Sequence, residues 1–233
     1  MINARRIFLS LCLIFFTMTG CYRAPLLQID NVSSAMGIFS QFSPQINSFK
    51  AFGDITFVED GRRQSGKTDV LWDSSGVFKA IIYSPFGSQI ASIDGDSFGG
   101  VISYDNQHYY FDLNETMEIL PFLWAKNITF ADFIYYLTGR MPQTSALSNN
   151  PDSLTHNNRN AEAFWFGKEY NVNVLIARRT EKIVAIDYIF IRDDQDPWTV
   201  SFAKFNQGLA QDITIKDDNR NYISVSYDVV SAK

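Results

Sequence analysis

Phe49-Lys50-Ala51-Phe52-Gly53-Asp54-Ile55-Thr56-Phe57-Val58, the turn Glu59-Asp60-Gly61, and then Gly66-Lys67-Thr68-Asp69-Val70-Leu71-Trp72 are the stretch that decides the fold. Apolar and polar residues alternate with a period of two on both sides of an Asp-Gly turn, which is the signature of a β-hairpin with one buried face. Downstream the signal repeats. The turn Asp73-Ser74-Ser75-Gly76 leads into Val77–Tyr83, and Ser84-Pro85-Phe86-Gly87-Ser88 interrupts the run before Ile90–Ile93, Phe98–Tyr104 and His108–Asp112 resume it. Strands this close together, joined by turn residues, predict an antiparallel meander of six strands in the first half.

Helical spacing appears in three places. Val32, Met36 and Phe39, with Ile38 and Phe42 beside them, predict a short amphipathic helix between Pro25 and Pro44. A second short piece is expected around Glu115–Trp124, broken by Pro121. The best-marked helix starts at Thr129, where Thr129 and Asp132 form a capping pair. Phe130, Phe133, Ile134 and Leu137 make its apolar stripe, and Gly139 and Pro142 end it. Residues 143–160 are rich in Asn and Ser without apolar periodicity, and predict a flexible insertion. Beyond them Ala163–Phe166, Asn171–Arg178, Lys182–Phe190, Trp198–Phe205, Gln211–Ile215 and Tyr222–Val229 again read as strands. The expected class is mainly β with a few helices, built from about eleven or twelve strands in a single domain.

The N-terminus carries a different message. Arg5 and Arg6 precede the apolar run Ile7–Phe16, too short to span a bilayer, and the pattern is that of an export signal. Met18-Thr19-Gly20-Cys21 follows and resembles a lipobox, with Met18 where Leu is commoner. Residues 1–20 are thus expected to be removed. Cys21 would take a diacylglycerol and an N-acyl chain, and residues 21–30 would form the tether of a domain over 31–233. Two or three acyl chains make a stable anchor where one is marginal. Tyr22-Arg23 lacks the aspartate of an inner-membrane retention signal, so the expected place is the periplasmic side of the outer membrane of a Gram-negative cell.

Composition narrows the function. The chain has 233 residues and a net charge of −5, which falls to about −7 once Arg5 and Arg6 leave with the signal, and this disfavours nucleic acid as a partner. Both cysteines, Cys12 and Cys21, belong to the signal and the lipobox, so the exported part would have no disulfide and no thiol chemistry. Twenty Phe and eleven Tyr can fill a large β core or line an apolar cavity. His108 and His156 have no neighbours at metal-ligand spacing, and no nucleophile-elbow, P-loop or dinucleotide fingerprint occurs. The acidic runs Asp193-Asp194-Gln195-Asp196 and Asp217-Asp218 fall at expected hairpin turns. No enzyme, metal or cofactor reading has residues behind it, apart from the covalent lipid on Cys21.

Four motifs in order carry a family likeness: Phe52-Gly53-Asp54-Ile55-Thr56-Phe57, Asp69-Val70-Leu71-Trp72, Ser84-Pro85-Phe86-Gly87-Ser88, and Phe133 to Pro142. Together with the lipobox they resemble the LolB-like outer-membrane lipoproteins of the LolA/LolB lipoprotein-localisation type, over about residues 26–230. Leu209–Ile215 is compatible with the same pattern. The resemblance implies a half-open antiparallel β-barrel enclosing a hydrophobic cavity, with a helical lid. It implies acyl chains of lipoprotein cargo as ligands, a LolA-like periplasmic carrier as donor, and outer-membrane lipids as acceptor. It also implies that Pro85, Phe86 and Gly87 form a membrane-insertion loop. On the residues alone, Phe86 can equally fold back over the barrel end. Strand parity nominates Ile55, Phe57, Val70, Trp72, Phe78 and Ile82 as cavity wall, with Phe133 and Leu137 on the lid; the same residues suit a plain core. The alternative function is a structural or assembly lipoprotein using the fold as a protein-binding scaffold. A hydrolase at the membrane surface lacks a nucleophile and a base.

Overall fold

The computed structural model of the chain describes residues 24, 26–28, 32, 46–115, 128–141, 150–168, 170–192, 195–206, 208–217 and 220–233. Six strands come first: β1 (Ser48–Glu59), β2 (Arg62–Asp73), β3 (Phe78–Tyr83), β4 (Gln89–Gly95), β5 (Gly99–Tyr104) and β6 (Gln107–Asp112). Helix α1 (Phe130–Leu137) follows, then β7 (Ser153–His156), β8 (Asn160–Trp165), β9 (Tyr170–Ala177), β10 (Lys182–Arg192), β11 (Gln195–Asn206), β12 (Leu209–Asp217) and β13 (Tyr222–Ala232).

All thirteen strands form one antiparallel sheet in the order β6-β5-β4-β3-β2-β1-β13-β12-β11-β10-β9-β8-β7. The pairing of β1 with β13 joins the two halves, from Phe49 opposite Ala232 to Val58 opposite Tyr222. Among the described residues β6 and β7 have no partner on their outer sides, so the sheet is open, as the half-barrel expectation requires. The connections β1–β2, β3–β4, β5–β6, β8–β9, β10–β11 and β12–β13 lie at one end, called here the upper end. Those of β2–β3, β4–β5, β7–β8, β9–β10 and β11–β12 lie at the lower end, with Ser48 and Ala232.

The count exceeds the sequence reading by β7, which lies inside the 143–160 segment expected to be a flexible insertion. Ser153–His156 pairs with β8 residue for residue, Ser153 opposite Phe164 and His156 opposite Ala161. An edge strand bonds on one side only and Leu154 is just half-buried, so alternation, the signal that marks the other strands, is missing. The expected helices over 25–44 and 115–124 lie largely or wholly outside the described residues. Within the first, Val32 N–H donates to Gln28 O at 3.1 Å, and Leu27 and Val32 are buried.

Helix α1 is the expected one. Thr129 Oγ1 accepts from Asp132 N–H at 3.0 Å and the Asp132 carboxylate answers the Thr129 N–H, completing the capping box. The helix is tied across the sheet. At its start Phe130 stacks on Phe111 of β6 at 6.0 Å and sits against Gly100 of β5, where a Cβ would lie 2.4 Å from its ring. At its end Tyr227 of β13 donates its hydroxyl to Leu137 O at 2.5 Å, and Ala210 N–H of β12 donates to Gly139 O at 3.1 Å. Burial raises the Tyr227 phenol far above its ordinary range, so it stays a donor at any physiological pH.

On the β8–β12 side the space under the sheet is filled by rings. Tyr136 of α1 meets Phe202 at 6.1 Å, Tyr188 meets Phe202 at 5.9 Å and Tyr170 at 5.8 Å, and Phe190 stacks on Trp198 at 3.8 Å. Edge-to-face and stacked pairs of this kind add to the area they bury.

Gly139 has φ +70°, and a Cβ there would lie 2.4 Å from Ala210 O. Gly139→Ala is therefore expected to cost about 1–3 kcal/mol of stability, read as a lower urea midpoint with an unchanged slope.

Candidate functional site

On the other side of α1 the concave face is not filled. A cavity of about 140 Å³ remains. Two rungs of the sheet make most of its wall. One runs Tyr227, Gly53, Thr68, Ile82, Ala91, Tyr104 across β13, β1, β2, β3, β4 and β5; the next below runs Val70, Ala80, Ile93, Ile102. All of these except Gly53 line the cavity, with Ile55 and Val225 above and Phe133 and Leu137 of α1 closing the open side. The space exists because Ala80 and Ala91 occupy core positions where the adjoining rungs carry larger side chains. The exposed lining residues Glu59, Arg62, Gln64 and Ile90 all lie at the upper end, which is where the cavity opens. Thr68 brings a buried hydroxyl to the lining, and the Tyr227 hydroxyl on the same rung donates to Leu137 O.

Six of the eight residues nominated for the cavity line it: Ile55, Phe57, Val70, Ile82, Phe133 and Leu137. Trp72 and Phe78 do not. They pair with each other and with Phe49 one rung below the wall, and Phe78 is 0% exposed core. Trp72 instead carries the Arg140 guanidinium over its ring at 4.1 Å, while Arg140 Nε donates to Thr138 Oγ1 at 2.7 Å. Parity specifies the face of a residue and says nothing of its depth along the strand. Sequence reasoning missed Ala80, Ala91, Ile93, Ile102, Val225 and Tyr227; Ala80 was within reach, since it shares parity with Phe78 and Ile82.

The Ser84–Ser88 loop is a tight hairpin turn. Gly87 N–H donates to Ser84 O at 2.9 Å, Ser84 N–H to Ser88 O at 2.8 Å, and Gly87 takes φ +85°. Pro85 presets the first turn residue and Gly87 supplies the left-handed one, which is the three-residue hairpin built on a type I turn. Ser84 Oγ adds bonds from Phe86 N–H at 3.2 Å and Ser88 N–H at 3.3 Å. Phe86 stands at the tip, 97% exposed, so the folded-back alternative does not occur. The loop lies at the upper end, where the cavity opens, and Ile90 of the mouth follows it by two residues.

Cys21 lies outside the described residues. Among the described residues, no helix is long and apolar enough to cross a membrane, and no group of three His, Cys, Asp or Glu side chains can hold a metal ion. The Asp217 carboxylate is taken by Asn221, whose N–H and Nδ2 donate at 2.9 and 2.8 Å.

No family model matches the chain, and no curated protein is significantly similar to it. Solved structures do resemble it. A DUF1329 family protein of Desulfovibrio piger superposes with a TM-score of 0.52 at 6% identity, covering 88% of this chain and 93% of that one. The two share a fold. A LolA superfamily protein of Nitrosomonas europaea matches with a TM-score of 0.49 at 9% identity, over 89% of this chain and 94% of its own. A protein domain of Vibrio parahaemolyticus named for outer membrane lipoprotein sorting matches with a TM-score of 0.48 at 6% identity, over 88% and 94%.

Ala91→Leu puts three more carbons into a space of about 140 Å³. Its expected effect is at least a tenfold loss of affinity for a fluorescent apolar probe such as N-phenyl-1-naphthylamine, with an unchanged or higher unfolding midpoint.

Proposed function

We propose that the chain is a membrane-anchored lipoprotein that binds acyl chains, takes lipoproteins from a periplasmic LolA-like carrier and inserts them into the outer membrane. The observation that carries this reading is one juxtaposition: an apolar cavity opens at the end of the sheet where Phe86 stands free in solvent. Support also comes from the order of the four LolB-like motifs and from the lipobox ending at Cys21.

The mechanism needs no covalent chemistry. An acyl chain leaving water gains about 0.8 kcal/mol for each methylene buried. Ile55, Val70, Ile82, Phe133 and Leu137 supply apolar contact, and Phe86 on its rigid turn is the group that enters the acceptor bilayer beside the mouth. The diacylglyceryl and N-acyl groups of Cys21 keep the domain at its membrane, and the periplasmic face of the outer membrane is its place.

Signal-free protein with Cys21 replaced is expected to carry fatty acyl ligands in native mass spectra and to yield them on solvent extraction. Protein that takes up no acyl ligand, even when offered one, points instead to the scaffold reading. In cells dependent on this chain, Phe86→Glu is expected to leave folding intact and to reduce delivery of other lipoproteins to the outer membrane. Normal delivery removes the insertion role from that loop.

A further inference from the structure

The described N-terminal segment is held at the end of the sheet opposite the cavity mouth. Arg178, at the β9–β10 turn, donates through Nη2 to Ala24 O and through Nη1 to Asn157 O at 2.6 Å. That turn is a lower-end connection, whereas the Phe86 loop and the exposed cavity lining are at the upper end. Ala24 is three residue steps from Cys21, with Tyr22 and Arg23 between them, and three steps reach at most about 10 Å. Strands of 8 to 12 residues, such as β9 and β2, are longer than that, at roughly 25–40 Å. A lipid on Cys21 therefore lies near the lower end for as long as Ala24 is held.

A second feature occupies the same corner. Arg159 of the β7–β8 turn and Arg178, Arg179 and Lys182 of the β9–β10 turn gather four cations there against the single carboxylate of Glu181. Arg159, Arg179 and Lys182 are exposed, and none of these three is in an ion pair with a described residue. The chain as a whole is acidic, at −5. The lower end of the opposite wing is acidic too, with Asp96, Asp112 and Glu115. The cations thus mark one side of one end.

We infer that the turns bearing Arg159, Arg178, Arg179 and Lys182 are the surface by which the domain lies on an anionic phospholipid bilayer, with the cavity mouth and Phe86 turned away from it. Clustered Arg and Lys beside a membrane tether are drawn to the negative surface potential of such a bilayer. The orientation presents the mouth to a soluble donor, and Phe86 reaches the anchoring bilayer only after the Arg178–Ala24 contact opens. This inference rests on the anchor reading of Cys21.

The test uses the full lipidated chain, purified from membranes and placed in vesicles of phosphatidylethanolamine with and without phosphatidylglycerol. Mass spectrometry first reads the lipid on Cys21. A nitrobenzoxadiazole probe is then attached through Thr180→Cys or Phe86→Cys and quenched by spin-labelled lipid. Severalfold stronger quenching at 180 than at 86, rising with phosphatidylglycerol and lost when Arg179→Glu and Lys182→Glu are combined, is the expected result. Adding Arg178→Ala is expected to raise quenching at 86. Quenching at 86 that equals or exceeds that at 180, or quenching at 180 indifferent to the charge reversal, overturns the inference and leaves the anchor standing. An unmodified Cys21 overturns both.

Discussion

Among the described residues, the eight-residue helix α1 lies across the inner face of the thirteen-stranded sheet, and Leu27 and Val32 are buried in the same core. Each end of α1 is fastened to a different part of the sheet, Phe130 to β5 and β6, Leu137 and Gly139 to β13 and β12. The fastening is mostly backbone and aromatic geometry, which tolerates little adjustment. Phe130 fits only where β5 has glycine, and Gly139 turns only because its φ is positive. With the helix so placed, the concave space becomes two compartments, and their contents follow from which side chains each half of the sheet points inward.

The β8–β12 compartment receives Tyr188, Phe202, Phe190 and Trp198, and with Tyr136 of the helix it becomes solid core. The β1–β5 compartment receives Ile, Val and Thr, Phe57 and Tyr104 toward its upper end and, at Ala80 and Ala91, single methyl groups. Aromatic richness was consistent with a filled core or a lined cavity, and the protein contains both. The void belongs to the wing with smaller inward residues, and at its upper end that wing carries the Ser84–Ser88 turn. Cavity and exposed Phe86 thus share an end because both belong to the β1–β5 meander.

What was legible in the sequence is what short-range physics determines. Alternation in Phe49–Trp72 marked strands and their inner faces, Thr129 and Asp132 marked the helix start, and Pro85-Phe86-Gly87 marked a tight turn without deciding which way the Phe86 ring points. Depth was not legible. Trp72 and Phe78 share a face with Val70 and Ile82, and only the register of β1, β2 and β3 puts them beneath the cavity. Nor was β7, since an edge strand held by backbone bonds to β8 needs no apolar alternation and Ser153–His156 has none. Arg178 passed unnoticed for a similar reason: its partner Ala24 is 154 residues away, and neither residue is distinctive locally.

The size of the cavity constrains how an acyl ligand can be held. At about 140 Å³ it is close to the engineered apolar cavity of roughly 150 Å³ that admits benzene, so at rest it takes only a short segment of chain. Five methylenes at 0.8 kcal/mol give about 4 kcal/mol, which corresponds to millimolar affinity; micromolar capture needs about twice as many. A ligand held that tightly would have to widen the space. The sheet is bonded strand to strand on both sides of the cavity, whereas α1 closes it with Phe133 and Leu137.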